Sequence, residues 1–238
     1  MGMACEGSFS VMSQHVIFQL LEALLETLHM VAVSGTVASV LGIPLGVILV
    51  VTGPGHILER RALNRVLGTI VNAVRSTPFI ILMVAIIPFT RLVVGTSIGT
   101  AAAIVPLTIA ATPFIARLVE ASLREVDHGL IEAVQAMGAS PLQIVRKVLL
   151  PEALPGIVAG LTITLVSLTG FSAMAGFVGG GGLGDLGIRY GYQRFQGDVM
   201  AAVVIILILL VQGVQSAGDV LARRLNKRII DREESKAR

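Results

Sequence analysis

Long stretches of this chain carry no charge, and that constrains its fold more than any motif does. Such runs lie between Arg75 and Arg91, Arg91 and Arg117, Glu152 and Asp185, and Asp198 and Asp219. From Leu28 to Glu59 the only charged residue is Glu59 itself. A helix needs ~20 predominantly apolar residues to cross a hydrocarbon core of ~30 Å. Five segments meet that length, at about 28–51, 67–90, 94–116, 156–177 and 199–220. Charged residues are only 14% of the 238, whereas soluble domains carry roughly a quarter. The mean hydropathy of +0.86 agrees. The pattern specifies an all-α integral membrane protein with five transmembrane helices. Without internal repeats or low-complexity linkers, it reads as a single domain over 1–238.

Lys and Arg orient the spans, because basic loops stay on the cytoplasmic side. None precedes Arg60, so the N-terminus is expected outside and without the charged start of a cleaved signal peptide. Arg60, Arg61 and Arg65 mark the first inner loop, and Arg117, Arg124, Arg146 and Lys147 mark a second. Arg223, Arg224, Lys227, Arg228, Arg232, Lys236 and Arg238 place the C-terminus inside. Fourteen of the 18 basic residues then face inward, with Arg91, Arg189 and Arg194 outside and Arg75 within the second span. The net charge of +3 is thus a topological signal that needs no nucleic acid, and the tail can touch anionic membrane lipid. Cys5, the single cysteine, forms no intrachain disulfide and has no metal-ligand companions. Before the first span, Val16, Ile17, Leu20, Leu21, Leu24, Leu25 and Leu28 recur at helical spacing. That stretch either lies along the outer interface or extends the span.

Between the third and fourth spans, residues 117–155 form a cytoplasmic helical loop. Connections this long in a compact bundle are usually functional. Gly138 falls where a helix end requires positive φ. Ser140 and Pro141 are an N-cap and N1 pair opening a second short helix, expected to end against Pro151. Such an elbow is a docking surface.

Elsewhere the apolar segments hold few polar groups. Asp219, one residue from the inner margin of the last proposed span, is the one Asp or Glu within any of them, and the lack of a deeper carboxylate disfavours an ion-coupled carrier with an intramembrane relay. Arg75 either snorkels to the inner interface or serves a gate beside Ser76, Thr77 and the bend that Pro78 permits. Gly42 and Gly46 are spaced for close helix packing, with pore lining as the alternative. Thr162, Thr164, Ser167, Thr169 and Ser172 offer hydroxyls either to a translocation path or to neighbouring backbone. The run at 179–184 contains Gly179, Gly181 and Gly184 at dinucleotide-fingerprint spacing but follows a span rather than a strand, which removes that reading. Gly179 and Gly182 instead suit a mobile or tightly packed loop at the outer mouth, beside Asp185, Arg189, Tyr190, Tyr192 and Arg194.

Enzyme chemistry finds little support. None of the three lysines follows a glycine, so a phosphate-binding loop is absent and ATP hydrolysis would need a separate chain. Ser172 lacks a nucleophile-elbow setting, and His29 is the only histidine in a span. No catalytic residue and no metal site is expected.

The central loop resembles that of ABC-importer permeases, whose pattern is E-A-A, three residues, Gly, nine residues, then Ile-x-Leu-Pro. Here the pattern reads Glu132, Ala133, Val134, Gly138, Val148, Leu150 and Pro151, with every spacing kept and two conservative departures. VRSTPFIIL (74–82) and AMAGFVGGGGLGDLGIRYGYQRFQ (173–196) extend the resemblance to the methionine-importer permeases of bacteria, over nearly the whole chain. The resemblance implies a multi-pass permease of the bacterial inner membrane, forming the path for L- and D-methionine. It also implies a second copy of itself as partner, two ABC ATPase subunits holding ATP and Mg, and an external methionine-binding protein. This chain itself would bind no cofactor. Glu132, Ala133, Gly138, Ala139, Ser140, Pro141, Leu150 and Pro151 become the ATPase-coupling residues, with Glu132 facing a basic group on the ATPase. Arg75, Ser76, Pro78, Ser172, Gly179 and Gly182 are the gate or pore candidates. The alternative is the same machine carrying another amino acid or an osmoprotectant. The few aromatics, no Trp and two Tyr, offer little for a quaternary-ammonium cage.

Overall fold

The computed structural model describes residues 14–225. Cys5 and the tail residues Lys227, Arg228, Arg232, Lys236 and Arg238 lie outside the described residues. All regular structure among the described residues is helical: α1 (Gln14–Val51), α2 (Arg61–Ser76), α3 (Phe79–Ala85), α4 (Ile87–Val94), α5 (Thr100–Arg124), α6 (His128–Ala136), α7 (Pro141–Ile144), α8 (Leu150–Gly176), α9 (Gly182–Leu186) and α10 (Gly197–Leu225). Wider π-helical turns occupy Val145–Leu149 and Gly187–Tyr192. Four stretches are long and apolar enough to cross a membrane, Val16–Val51, Thr100–Arg124, Pro141–Gly176 and Gly197–Leu225. A fifth follows if α2 and α3, bent by 104°, count as one broken span.

The boundaries differ from the sequence expectation in instructive ways. The first apolar segment does not begin at 28, because the preceding amphipathic stretch continues it into one helix. The second is no straight 67–90 helix. Thr77 is extended at φ −84 and ψ 125, as the residue before a proline prefers, and Pro78 caps α3 on a new axis. Ile86 and then Gly95, at φ 82, interrupt it again. The third begins at Thr100, later than the expected 94, because Gly95 and Gly99 both hold positive φ. Its far end passes the expected 116 and reaches Arg124.

The fourth segment corrects the reading of the central loop. The second elbow helix does not end at Pro151. Pro141–Gly176 runs on as one span, at ~1.5 Å per residue about 54 Å long. Proline cannot donate to the helix ladder. The π turn absorbs this defect just upstream, with Leu150 N donating to Val145 O. Within 117–155, then, the helix is interrupted only at 125–127 and 137–140. The last segment matches its expected span closely.

Helix α5 is the centre of the bundle. Leu107, Ile115, Ala116, Val119 and Leu123 along it are almost wholly buried. Gly42 and Gly46 let α1 lie against it: a Cβ on Gly42 would meet Thr112 O at 2.8 Å, and one on Gly46 would meet Ala116 O at 2.7 Å. The hydroxyls of α8 are spent locally. Thr162, Thr164, Ser167 and Thr169 each donate to the carbonyl four residues back, and Ser172 donates to Thr169 O at 2.8 Å. Buried polar groups in apolar surroundings are costly unless paired, so this back-bonding is what lets Thr162, Thr164, Thr169 and Ser172 sit inside.

Candidate functional site

Most of the singled-out residues fall into two groups at opposite ends of α8, and Arg75, Ser76 and Pro78 lie at the break between α2 and α3. At the start of α8, α6 and α7 form the elbow. Asp127 caps α6 by accepting from Gly129 N at 2.7 Å. Met137 ends the helix, and Gly138 turns the chain at φ 81, where a Cβ would meet only open space. Ser140 then opens α7 with a full capping box: Gln143 N donates to Ser140 Oγ at 3.4 Å, and Ser140 N donates to Gln143 Oε1 at 2.8 Å. Sequence reading found Ser140 but not Gln143, although the S-x-x-Q spacing was legible.

The elbow is fastened from beneath and bare above. Ile131 and Ile144 are buried in the main core, with Val134 and Ala139 packed against it. Glu132, Ala133, Gly138, Ser140 and Pro141 are exposed. Met137 and Leu142 present large apolar side chains at 77% and 65% exposure. Glu132 Oε1 lies 3.3 Å from His128 Nδ1. Leu150 is half-buried and Pro151 exposed, a full turn or more into the continuous helix. They sit beside the elbow rather than on it.

Three groups at the elbow's base escaped the sequence reading. The His56 ring, in the turn after α1, lies 6.1 Å from the His128 ring. Burial, then the Arg124 charge, then His128 hold its pKa below the ordinary 6.5. Glu120, 4% exposed near the end of α5, accepts from Arg117 Nη1 at 2.6 Å and Arg124 Nη2 at 2.8 Å. Arg117 Nη2 reaches across to α2, donating to Asn72 Oδ1 at 2.8 Å and to Gly68 O at 3.2 Å. Nothing in the local sequence pairs residues forty-five apart, so only the fold could reveal this bridge.

At the far end of α8 the chain makes a glycine corner. Gly179, Gly181 and Gly182 hold φ of 77, 79 and 74. Gly182 N donates to Glu26 Oε2 at 2.7 Å, and Leu183 N donates to Thr27 Oγ1 at 2.9 Å, pinning the corner to α1. Gly99 N donates to Gly179 O at 2.8 Å, joining it to the start of α5. A Cβ on Gly176 would fall 2.5 Å from Gly184 C, and one on Gly184 would fall 2.5 Å from Ala173 Cα. Of the two readings left open, tight packing is the observed one.

The gate candidates are only partly brought together. Phe79, following Pro78, stacks on Phe171 at 4.7 Å, so the break in the second span meets the segment holding buried Ser172. Arg75, in the last turn of α2, is exposed, with its guanidinium 5.5 Å from the Phe114 ring. Ser76 Oγ donates to Asn72 O at 2.8 Å. Gly179 and Gly182 belong to the corner, a separate place. Beyond it Asp185 pairs with Arg189, Arg194 stacks 4.5 Å over Tyr190, and Phe195 is 89% exposed at φ 56. Among the described residues, no group of His, Cys, Asp and Glu could hold a metal ion.

With this geometry in place, similarity to known proteins gains meaning. Residues 42–231 match the family described as binding-protein-dependent transport system inner membrane component. The chain is 62% identical to a probable D-methionine transport system permease protein of Vibrio cholerae over 209 residues, 88% of this chain and 93% of that one. It is 59% identical over 165 residues to the D-methionine transport system permease protein of Escherichia coli K12, 69% of this chain and 76% of that one. A crystal structure of the MetNI methionine ABC transporter in an inward-facing conformation superposes with a TM-score of 0.89, at 55% identity, over 90% of this chain and all of that one. An amino acid ABC transporter crystallised with histidines shares the fold, with a TM-score of 0.73 at 18% identity.

Proposed function

The chain belongs to the family of inner membrane components of binding-protein-dependent transport systems, and from that premise we propose that it is the methionine-conducting permease of an ATP-driven importer. The observation that carries the reading is the elbow: a helical bend anchored in the core by Ile131 and Ile144 and bare on its outer face. The substrate follows from the D-methionine permeases that it resembles over most of its length.

In this reading, the permease pairs with a second copy of itself and with two ATPase subunits, which hold ATP and Mg. An external methionine-binding protein delivers the cargo. Five spans run with the N-terminus outside and the C-terminus inside, the second being the broken α2–α3 segment. Supporting that orientation, the ring contact of His56 with His128 puts the basic turn after α1 at the same end as Arg124, Arg146 and Lys147, which flank the elbow. The glycine corner then lies at the outer mouth. All of 1–238 acts as one permease domain.

The coupling work follows from the geometry. Glu132, Ala133 and the apolar tips of Met137 and Leu142 enter a cleft on the ATPase, with Glu132 meeting a basic group there. Gly138 sets the angle, while Ala139, Ser140 and Pro141 hold the second arm. Because Pro141–Gly176 is one continuous helix, displacement of the elbow is displacement of a membrane span, Leu150 and Pro151 included. Packed helices switch between discrete arrangements rather than deform smoothly, so that shift alternates the access of the pore. Arg75, Ser76, Pro78 and Ser172 line or brace the moving break, and Gly179 and Gly182 close the outer end.

The test is co-purification in gentle detergent followed by uptake into vesicles. An ATPase chain should co-purify one to one and be lost on Glu132→Ala. Labelled-methionine uptake should be competed by unlabelled methionine and not by other amino acids or betaines. A permease that purifies alone and moves solute without ATP would overturn the reading.

A further inference from the structure

Helix α2 is loosely held for a segment that leads into a span. Val71 is its only buried residue, lying with Leu49 of α1 and Ala116 of α5. Besides the Arg75 guanidinium 5.5 Å from the Phe114 ring of α5, two hydrogen-bonded links supplement that contact. Asn64 Nδ2 donates to Leu49 O at 2.6 Å, fixing the start of α2 to the end of α1. The other link is Arg117. One terminal nitrogen of its guanidinium is held by buried Glu120, and the other reaches Gly68 O and Asn72 Oδ1 in the middle of α2. Its Nε makes no hydrogen bond among the described residues, so the fork is positioned by its two tips.

The location gives this link a purpose. Arg117 stands two turns before α5 ends at Arg124, and the elbow helix α6 begins at His128. Asn72 stands one turn before α2 ends at Ser76, where the chain breaks at Pro78. The approach is close, since a Cβ on Gly68 would lie in ordinary contact with Arg117 Nη2 at 3.5 Å. A planar guanidinium can grip two helices at once, whereas an ammonium is a single point charge.

We propose that Arg117, clamped by Glu120, is the positioning residue that hands elbow motion to the broken second span, pulling α2 with α5. This rests on the coupling role given to the elbow. Carbonyl and amide acceptors on α2 suit such a duty, because they hold the cation without a second buried charge to desolvate. Arg117 touches neither cargo nor nucleotide.

The experiment uses the full importer, permease with its ATPase subunits and binding protein, in proteoliposomes, and reads ATP hydrolysed per methionine imported. Arg117→Lys retains the charge beside Glu120 but loses the fork. It should leave assembly and ATP hydrolysis intact while the ratio rises about tenfold, the scale of one charge-assisted hydrogen bond. Asn72→Ala, at an exposed position that leaves the Arg117–Glu120 pair untouched, should raise the ratio about threefold by the loss of a single partner. An unchanged ratio in an assembled Arg117→Lys importer overturns the proposal. If that variant does not assemble, an unchanged ratio in Asn72→Ala overturns it instead. Glu132→Ala run in parallel keeps the two ideas apart. Lost assembly there with normal Arg117→Lys coupling sinks only the strut, and normal assembly there sinks the elbow reading itself.

Discussion

The two ends of α8 are both built on glycine and serve opposite ends. At the corner, Gly176 and Gly184 sit where the backbone of one segment touches that of another, leaving no room for a Cβ. At the elbow, Gly138 has open space around it and is needed only for its left-handed φ of 81. The corner is a packed joint, pinned by Glu26 and Thr27. The elbow is a presented surface, shaped by its own caps and held by two isoleucines beneath. Glycine for clearance belongs to the structure's interior; glycine for conformation belongs to a shape offered to something else.

Substitutions can break this contrast. The largest effect is expected from Gly176→Ala, because backbone cannot yield as a flexible side chain can. Overpacking there should cost about 3 kcal/mol or more, read as a lower melting temperature and aggregation in detergent; an unchanged melt would mean the corner has slack. Gly138→Ala should cost only ~1–2 kcal/mol, the strain of one left-handed residue. It should leave the melt of the bundle nearly unchanged while lowering ATP-driven uptake, and the reverse pattern would make the elbow a structural joint too.

Smaller effects sharpen the comparison. Ser140→Ala removes half of the capping box and should loosen α7 by ~1 kcal/mol. Hydrogen exchange should rise at 142–144 without a change at the corner. Thr27→Val removes the acceptor for Leu183 N at constant shape and should cost ~1 kcal/mol or somewhat more, since a buried donor is left unpaired. Exchange should rise at 182–184 alone.

The smallest expected effect concerns pH. The folded-state pKa of His56 lies below the ordinary 6.5, so folding favours the neutral ring. Its contribution is complete above 6.5. As pH falls below that value the unfolded chain takes up the proton first, and stability declines until the folded-state pKa is passed. His56→Gln should flatten the acid side of a melting-temperature profile, and a profile identical to that of the unmodified protein would contradict the burial of that ring.

Local chemistry was legible wherever one stretch of chain decides its own shape. Gly138 as a helix stop, Ser140–Pro141 as a start, and Gly42 with Gly46 as a close-packing pair depend on neighbours within a turn or two. Pro78 was legible as a bend but not as a 104° break, because the angle depends on what the two arms pack against. The end expected at Pro151 failed for a related reason. Proline forbids one hydrogen bond, and a π turn upstream can absorb that loss when α8 is held in the core on both sides.

The long uncharged runs determined by themselves that this chain lives in a membrane as helices, since lipid leaves backbone groups no partner but one another. Basic residues and the E-A-A pattern supplied an expected orientation and a docking elbow. Only the tertiary structure decided that the glycine run is a packed joint, that the α8 hydroxyls are spent on their own backbone, and that Arg117 grips α2. Those outcomes depend on which helices come within 3 Å of each other, and residues 45 or 156 positions apart carry no local sign of their meeting.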